Sequence, residues 1–125
     1  MNTRAVGTVY EYKAAAFLKQ HGIQIKEQNY RCRFGEIDII GMQRGTYVFI
    51  EVKYRKTDTG GSPAEAVTHA KQRTICKVAD YYRMLHGIGD DVSCRFDVVA
   101  ICGEQSKEEI IWYENAFMYI KRGRS

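Results

Sequence analysis

The sequence predicts an α/β fold, a mixed central β-sheet flanked by helices in the order α-β-β-β-α-β-β. Three observations carry this. Apolar residues recur at helical spacing near the start of the chain. Apolar and charged residues alternate strictly over residues 46–55. A second helical stripe then separates two apolar strands, and a crossover helix of that kind favours parallel pairing of the strands it joins.

The first helix is expected over residues 4–20. Tyr10, Ala14, Phe17 and Leu18 recur at i, i+4, i+7 and i+8. His21 and Gly22 end it, with glycine in the usual stop position. Strands follow over residues 23–32, 36–41 and 46–55. In the last of these, Val48, Ile50, Val52 and Tyr54 share one face, and Phe49, Glu51, Lys53 and Arg55 share the other. Gln43, Arg44, Gly45 and Thr46 form a tight hairpin turn.

Residues 57–61 form a polar, glycine-rich loop. Ser62, Pro63, Ala64 and Glu65 then read as the capped start of a second helix, with the only proline at its first position. Val67, Ala70, Ile75, Val78, Tyr82 and Leu85 carry its apolar stripe to about His86. A turn at residues 87–91 leads into a strand over residues 92–102, whose continuous apolar run predicts burial on both faces. A fifth strand is expected over residues 109–113. Residues 1–120 form a single domain on this reading, and residues 121–125 a basic tail.

Composition restricts the function classes. The chain has 125 residues, 45% hydrophobic and 27% charged, which suits one globular domain. No apolar run reaches the roughly 18 residues of a membrane span. The first residues lack the apolar core of a signal peptide, so a cytoplasmic address is expected. Nineteen Lys and Arg against fifteen Asp and Glu give a net charge of +4, which permits a polyanionic partner without demanding one. Cys32, Cys76, Cys94 and Cys102 form no C-x-x-C pair and have no histidine at zinc-ligand spacing, so they are expected to be reduced thiols. His21, His69 and His86 are scattered over helices and helix ends.

The chemistry concentrates in two strands, around Glu36 and Asp38 and around Glu51, Lys53 and Arg55. With Arg44 and Gly45 as turn residues, cross-strand partners place Asp38 opposite Glu51 and Glu36 opposite Lys53. Facing carboxylates about 5 Å apart repel by on the order of 3 kcal/mol at an effective dielectric near 20. A divalent cation offsets that repulsion, and Mg²⁺ commonly takes one or two protein carboxylates plus water. The plain alternative is a pair of half-exposed strands with a Glu36–Lys53 ion pair. Glu11 borders the apolar stripe of the first helix, so it either reaches over the sheet or turns to solvent. Lys71, Gln72 and Arg73 either face the site or form a solvated turn. Arg55 and Lys56 extend the charged face into the loop and suit phosphate contact. Asp97 interrupts an apolar strand and reads as a buried hydrogen-bonding group.

Together these residues resemble the D-(x)n-E-x-K core of the PD-(D/E)xK nucleases, with their restriction-endonuclease-like fold. The resemblance is closer to the YraN-like family of uncharacterised bacterial proteins, related to archaeal-type Holliday-junction resolvases. It runs from Gly7 to about Phe117. Its landmarks are Gly7 with Glu11, Asn29-Tyr30-Arg31, Gly35-Glu36-Ile37-Asp38, the strand around Glu51 and Lys53, Lys71, and Arg95-Phe96-Asp97. Ile37 stands where the superfamily often has proline. The resemblance implies a Mg²⁺- or Mn²⁺-dependent endonuclease acting on DNA, branched or Holliday-junction-like DNA included. Asp38, Glu51 and the Val52 carbonyl would hold the metal. Lys53 would orient the attacking water, and Glu11 would be a further catalytic carboxylate. Arg55, Lys56, Lys71 and Arg73 are the expected nucleic-acid contacts, and a homodimer would serve a two-site cut. The other reading is a non-catalytic nucleic-acid-binding module that retains the fold.

Overall fold

The computed structural model of the chain describes residues 3–55, 67–103 and 107–121, with side chains from Val9 onward. The element order is α1 (Thr3–Gln20), β1 (Gln24–Cys32), β2 (Gly35–Gln43), β3 (Thr46–Arg55), α2 (His69–Leu85), β4 (Cys94–Cys102) and β5 (Glu109–Phe117). The five strands form one sheet in the order β1-β2-β3-β4-β5. Every pairing is antiparallel except β3 with β4, which is parallel across the α2 crossover. The α/β architecture and element order expected from the sequence are those observed.

Each helix covers one face of the sheet. Ala14, Ala15 and Leu18 of α1 pack with Ile23 against Ile39, Val48, Ile50, Val99 and Ile101. On the other face, Ile75, Val78, Ala79 and Tyr82 of α2 pack against Ile37, Ile40, Phe49, Phe96 and Val98. Strands β3 and β4 therefore lie in the centre of a three-layer sandwich. Residues Phe96 to Cys102 are all buried, as the continuous apolar run requires. Gly41 sits where α1 hands the chain to the sheet. A Cβ there would lie 2.6 Å from Ile23 Cγ2 and 3.1 Å from the Gln24 carbonyl, so only glycine lets β2 come this close.

Helix ends follow local chemistry. Gly22 has φ 93°, and the Ile23 N–H donates back to the Leu18 carbonyl at 3.0 Å, a left-handed stop. The start of α2 differs from expectation. The cap expected at Ser62, Pro63 and Glu65 falls outside the described residues, and the helix begins at His69. Thr68 is its N-cap, with Oγ1 accepting the Lys71 N–H at 3.1 Å. The fifth strand is longer than expected and reaches Phe117.

The hairpin between β2 and β3 fixes the site. Arg44 and Gly45 have φ 51° and 80°, the two positive values of a two-residue type I′ turn. Gln43 then pairs with Thr46 and Ile39 with Ile50, the register expected from the turn. Beyond Ile39 and Ile50 the paired ladder ends. Glu36 remains paired with Arg31 of β1, and Glu51 to Arg55 pair with Val98 to Cys102 of β4. The expected Glu36–Lys53 opposition is therefore wrong: Glu36 forms its ion pair with Arg31 at 3.0 Å. Beyond the Ile39–Ile50 pair β2 stays paired with β1 and β3 with β4, but not with each other, and a wedge opens between them.

Candidate functional site

Asp38 stands at the mouth of that wedge. Its Oδ2 accepts the Val52 N–H at 2.8 Å, taking the place of a ladder bond that the diverging backbones do not make. In β2, Ile37 and Ile40 pack on the α2 face and Ile39 on the α1 face, so alternation slips beside Asp38. This slip turns the carboxylate toward β3 and α1 together. Glu51 follows Ile50 on β3 and is only 5% exposed. The two carboxyl groups lie close enough to couple by charge, but the direct cross-strand opposition expected from the turn falls just beyond the last paired residues, Ile39 and Ile50.

Two lysines flank the pair. Lys53 Nζ lies 3.6 Å from Glu51 Oε2, and Lys71 Nζ, from the first turn of α2, lies 3.9 Å from the same oxygen. Both stems are partly exposed, while the Glu51 carboxyl is not. The other oxygen, Glu51 Oε1, is buried with no hydrogen-bond partner. An orphaned carboxylate oxygen is rare and costly in a folded interior. Burial above all, and then the Asp38 charge, push the Glu51 pKa up to about 8, against the pull of Lys71 and Lys53. Desolvation outweighs both ammonium groups because they touch one oxygen at ion-pair rather than hydrogen-bond distance.

Glu11 completes the acidic cluster. Of the two orientations open to it, the structure adopts the inward one: α1 packs Ala14, Ala15 and Leu18 on the sheet, and this brings Glu11 onto Asp38. Burial, followed by the Asp38 charge, raises its pKa to about 7. A side-chain hydrogen bond from Asn29 of β1 pulls the other way. Asn29 carried no role in the sequence reading. Its signal was an asparagine in a polar strand, and nothing in strand periodicity predicts that it meets a helix carboxylate.

The remaining candidates divide clearly. Lys71 joins the cluster. Arg55 lies at the end of β3, its carbonyl accepting the Gly103 N–H at 2.9 Å. Arg73 is on the exposed side of α2. Lys56 lies outside the described residues. His21 stacks on Phe17, His86 stacks on Tyr82, and His69 opens α2, so none joins the cluster. Cys32, Cys76, Cys94 and Cys102 form no disulfide with one another, as expected. Asp97 is fully buried and bonded to Arg95, Trp112 and Asn115, the structural role its position suggested.

Among the described residues, no group of three or more His, Cys, Asp and Glu side chains is placed to hold a metal ion. A cation here would rest on two carboxylates, Asp38 and Glu51, with water filling other positions. That is an ordinary arrangement for Mg²⁺. The orphaned Glu51 Oε1 fits it, because a hard cation would satisfy the atom that the protein leaves bare. Glu51 must lose its proton to bind a cation, so binding releases protons. Apparent Mn²⁺ affinity is expected to rise about tenfold per pH unit from pH 6 to pH 7 and to level off above about pH 8. Isothermal titration calorimetry in buffers of different ionisation enthalpy measures both the affinity and the released proton.

These features define a class: an α/β domain with a buried acidic cluster, flanked by lysines, where two central strands part. The chain belongs to the uncharacterised protein family UPF0102, whose family model matches residues 10–101. A UPF0102 protein of Lachnoclostridium phytofermentans is 45% identical over 117 residues, covering 94% of this chain and 96% of that protein. One from Nitrosomonas europaea is 46% identical over 89% of this chain and 92% of its own length. Another, from Vibrio parahaemolyticus, is 43% identical over 90% and 92%. None of these names states an activity. Among the described residues, no helix is long and apolar enough to cross a membrane.

Proposed function

We propose that this chain is a metal-dependent endonuclease of the PD-(D/E)xK type that hydrolyses DNA phosphodiester bonds, branched or junction-like DNA among its substrates. The observation that carries the reading is the pairing of Asp38 with Glu51 in a buried wedge, with the Glu51 Oε1 atom unsatisfied. Two opposed acids, one of them desolvated, gain nothing for a purely structural sheet.

Each residue has a task in this reaction. Asp38 is held in place by the Val52 N–H and presents its free oxygen to the wedge. Because the Val52 N–H points to this side, its carbonyl does too, which makes that oxygen a third candidate ligand. Glu51, once deprotonated, would be the second carboxylate to hold a cation. A bound Mg²⁺ or Mn²⁺ would supply a water of lowered pKa and offset charge on the phosphate. Lys53 places an ammonium group where negative charge develops and orients the attacking water. Glu11 adds a carboxyl group with a pKa near neutrality beside Asp38, suited to moving a proton. Lys71, Arg55, Lys56 and Arg73 contact phosphates on either side of the cut. The positive net charge of +4 favours such a polyanion.

Purified protein is expected to cut flapped, branched or four-way DNA only with Mg²⁺ or Mn²⁺ present. Asp38→Asn, which keeps an acceptor for the Val52 N–H, is expected to lower the rate about a thousandfold or more with the thermal transition preserved. If a broad substrate panel gives no metal-dependent cutting while DNA is still bound, the chain is instead a non-catalytic nucleic-acid-binding module with this fold.

A further inference from the structure

Among the described residues, three other than glycine have positive φ: Arg44, Asn115 and Asn29. The first two follow from local structure. Arg44 opens the two-residue hairpin turn. Asn115 lies where β5 skips register against β4, and its N–H donates to Asp97 Oδ1 at 2.8 Å. Asn29, with φ 53°, has neither reason. It sits inside β1, with Gln28 paired to Ile39 and Tyr30 paired to Ile37 on either side. The β1–β2 ladder does shift register, but between Ile25 and Glu27. Asn29 lies at no hairpin turn; it falls where the ladder leaves one position unpaired, beside the slip in alternation at Asp38.

A left-handed residue within a strand is strained, and glycine would relieve it. Asparagine tolerates the conformation better than other side chains, and it also carries an amide. Asn29 and Asp38 fall in the gap between the Gln28–Ile39 and Tyr30–Ile37 pairs, across from one another but not themselves paired. Its side chain is hydrogen-bonded to Glu11, which in turn contacts Asp38. The strained residue, the helix carboxylate and the first acid of the wedge thus form one continuous contact. We infer that Asn29 is a positioning residue: its left-handed backbone aims the amide at Glu11 and holds that carboxylate against Asp38.

This rests on the nuclease reading for its catalytic consequence, though not for its geometry. Without the amide, Glu11 is a partly buried carboxylate with a like-charged neighbour and a free route back to solvent. It would leave Asp38 by rotating about the α1 side-chain torsions. Substrate binding, which depends on the basic residues, would be little changed.

Asn29→Gly separates the side chain from the backbone, since glycine takes φ 53° without strain. The variant is expected to melt at the wild-type temperature or above it. In its crystal structure, Glu11 is expected to swing away from Asp38. Its kcat on a branched DNA substrate with Mn²⁺ is expected to fall about 10- to 100-fold, with KM changed less than about threefold. Asn29→Gly combined with Glu11→Gln is expected to match Glu11→Gln alone, because one acts through the other. Asn29→Ala tests the backbone alone and should melt lower than Asn29→Gly. The inference is overturned if Glu11 stays on Asp38 in Asn29→Gly. It is equally overturned if Asn29→Gly cuts like the wild type, or if the two losses multiply in the double variant. A wild-type protein that cuts no DNA would sink the nuclease reading, and the Glu11 displacement would still decide the positioning claim.

Discussion

Glu51→Gln is expected to abolish metal-dependent cleavage and to stabilise the metal-free protein in the same step. The loss in kcat should be on the order of 10³-fold or more, several kcal/mol of transition-state stabilisation. The gain in stability follows from the direction of the Glu51 pKa, raised from 4.5 to about 8. Between those values the folded protein holds a proton that the unfolded chain has released. Stability from this group is therefore complete below about 4.5 and is lost as pH rises through about 8. An ordinary surface carboxylate paired with a lysine does the opposite. Glutamine has the shape of the protonated form and cannot ionise. At pH 8.5 the variant should be more stable by on the order of 2 kcal/mol, a rise in Tm of about 6–10 °C. At pH 5 the two proteins should melt together. Saturating Mn²⁺ should raise the wild-type Tm and leave that of Glu51→Gln unmoved. Scanning calorimetry at the two pH values, with and without Mn²⁺, checks all of these outcomes.

The second large effect lies in the neighbouring strand, β4. Asp97→Ala is expected to cost about 3–5 kcal/mol of folding stability. Asp97 is fully buried on β4 and accepts from Arg95 Nε at 3.1 Å, Trp112 Nε1 at 2.9 Å and the Asn115 N–H at 2.8 Å. Alanine leaves a half-buried guanidinium, an indole N–H and a backbone amide without their acceptor, each carrying a desolvation cost. The bulge of β5 at Asn115 loses its anchor at the same time. Urea unfolding should show a lower midpoint with an unchanged m-value. Asp97→Asn keeps one acceptor oxygen and should lose roughly half as much. At a temperature where Asp97→Ala is still folded, its cleavage rate should match the wild type, since Asp97 bonds to Arg95, Trp112 and Asn115 and not to the acidic cluster.

What the sequence revealed and what it hid have separate physical causes. Strand β3 was legible because Val48, Ile50 and Val52 alternate with Phe49, Glu51 and Lys53. The register with β2 was legible because Arg44 and Gly45 leave only one tight turn. Parallel pairing of β3 with β4 followed from the helix between them. These are short-range constraints. The end of the ladder at Ile39 and Ile50 was hidden, because beyond it β2 and β3 pair only with β1 and β4, a long-range arrangement that no local pattern encodes. Glu36 therefore met Arg31 rather than Lys53. The inward turn of Glu11 was undecided, because helical spacing gives a residue's face and not its rotamer. Thr68 was passed over as a cap in favour of Ser62 and Pro63, since capping residues are common and only the φ and ψ of the chain select among them. Asn29 was legible only as part of the Asn29-Tyr30-Arg31 landmark; its conformation and its contact with Glu11 were hidden, as a left-handed backbone inside a strand leaves no periodic mark.

The central claim is that Asp38 and Glu51 share a divalent cation at the point where β2 and β3 part. Crystals soaked in Mn²⁺ and measured at the manganese absorption edge test it directly. The account predicts one anomalous peak between the two carboxyl groups, within about 2.5 Å of Glu51 Oε1. Full occupancy of the soak elsewhere on the molecule, with Glu51 still protonated and the wedge filled by water alone at pH 8.5, would contradict it.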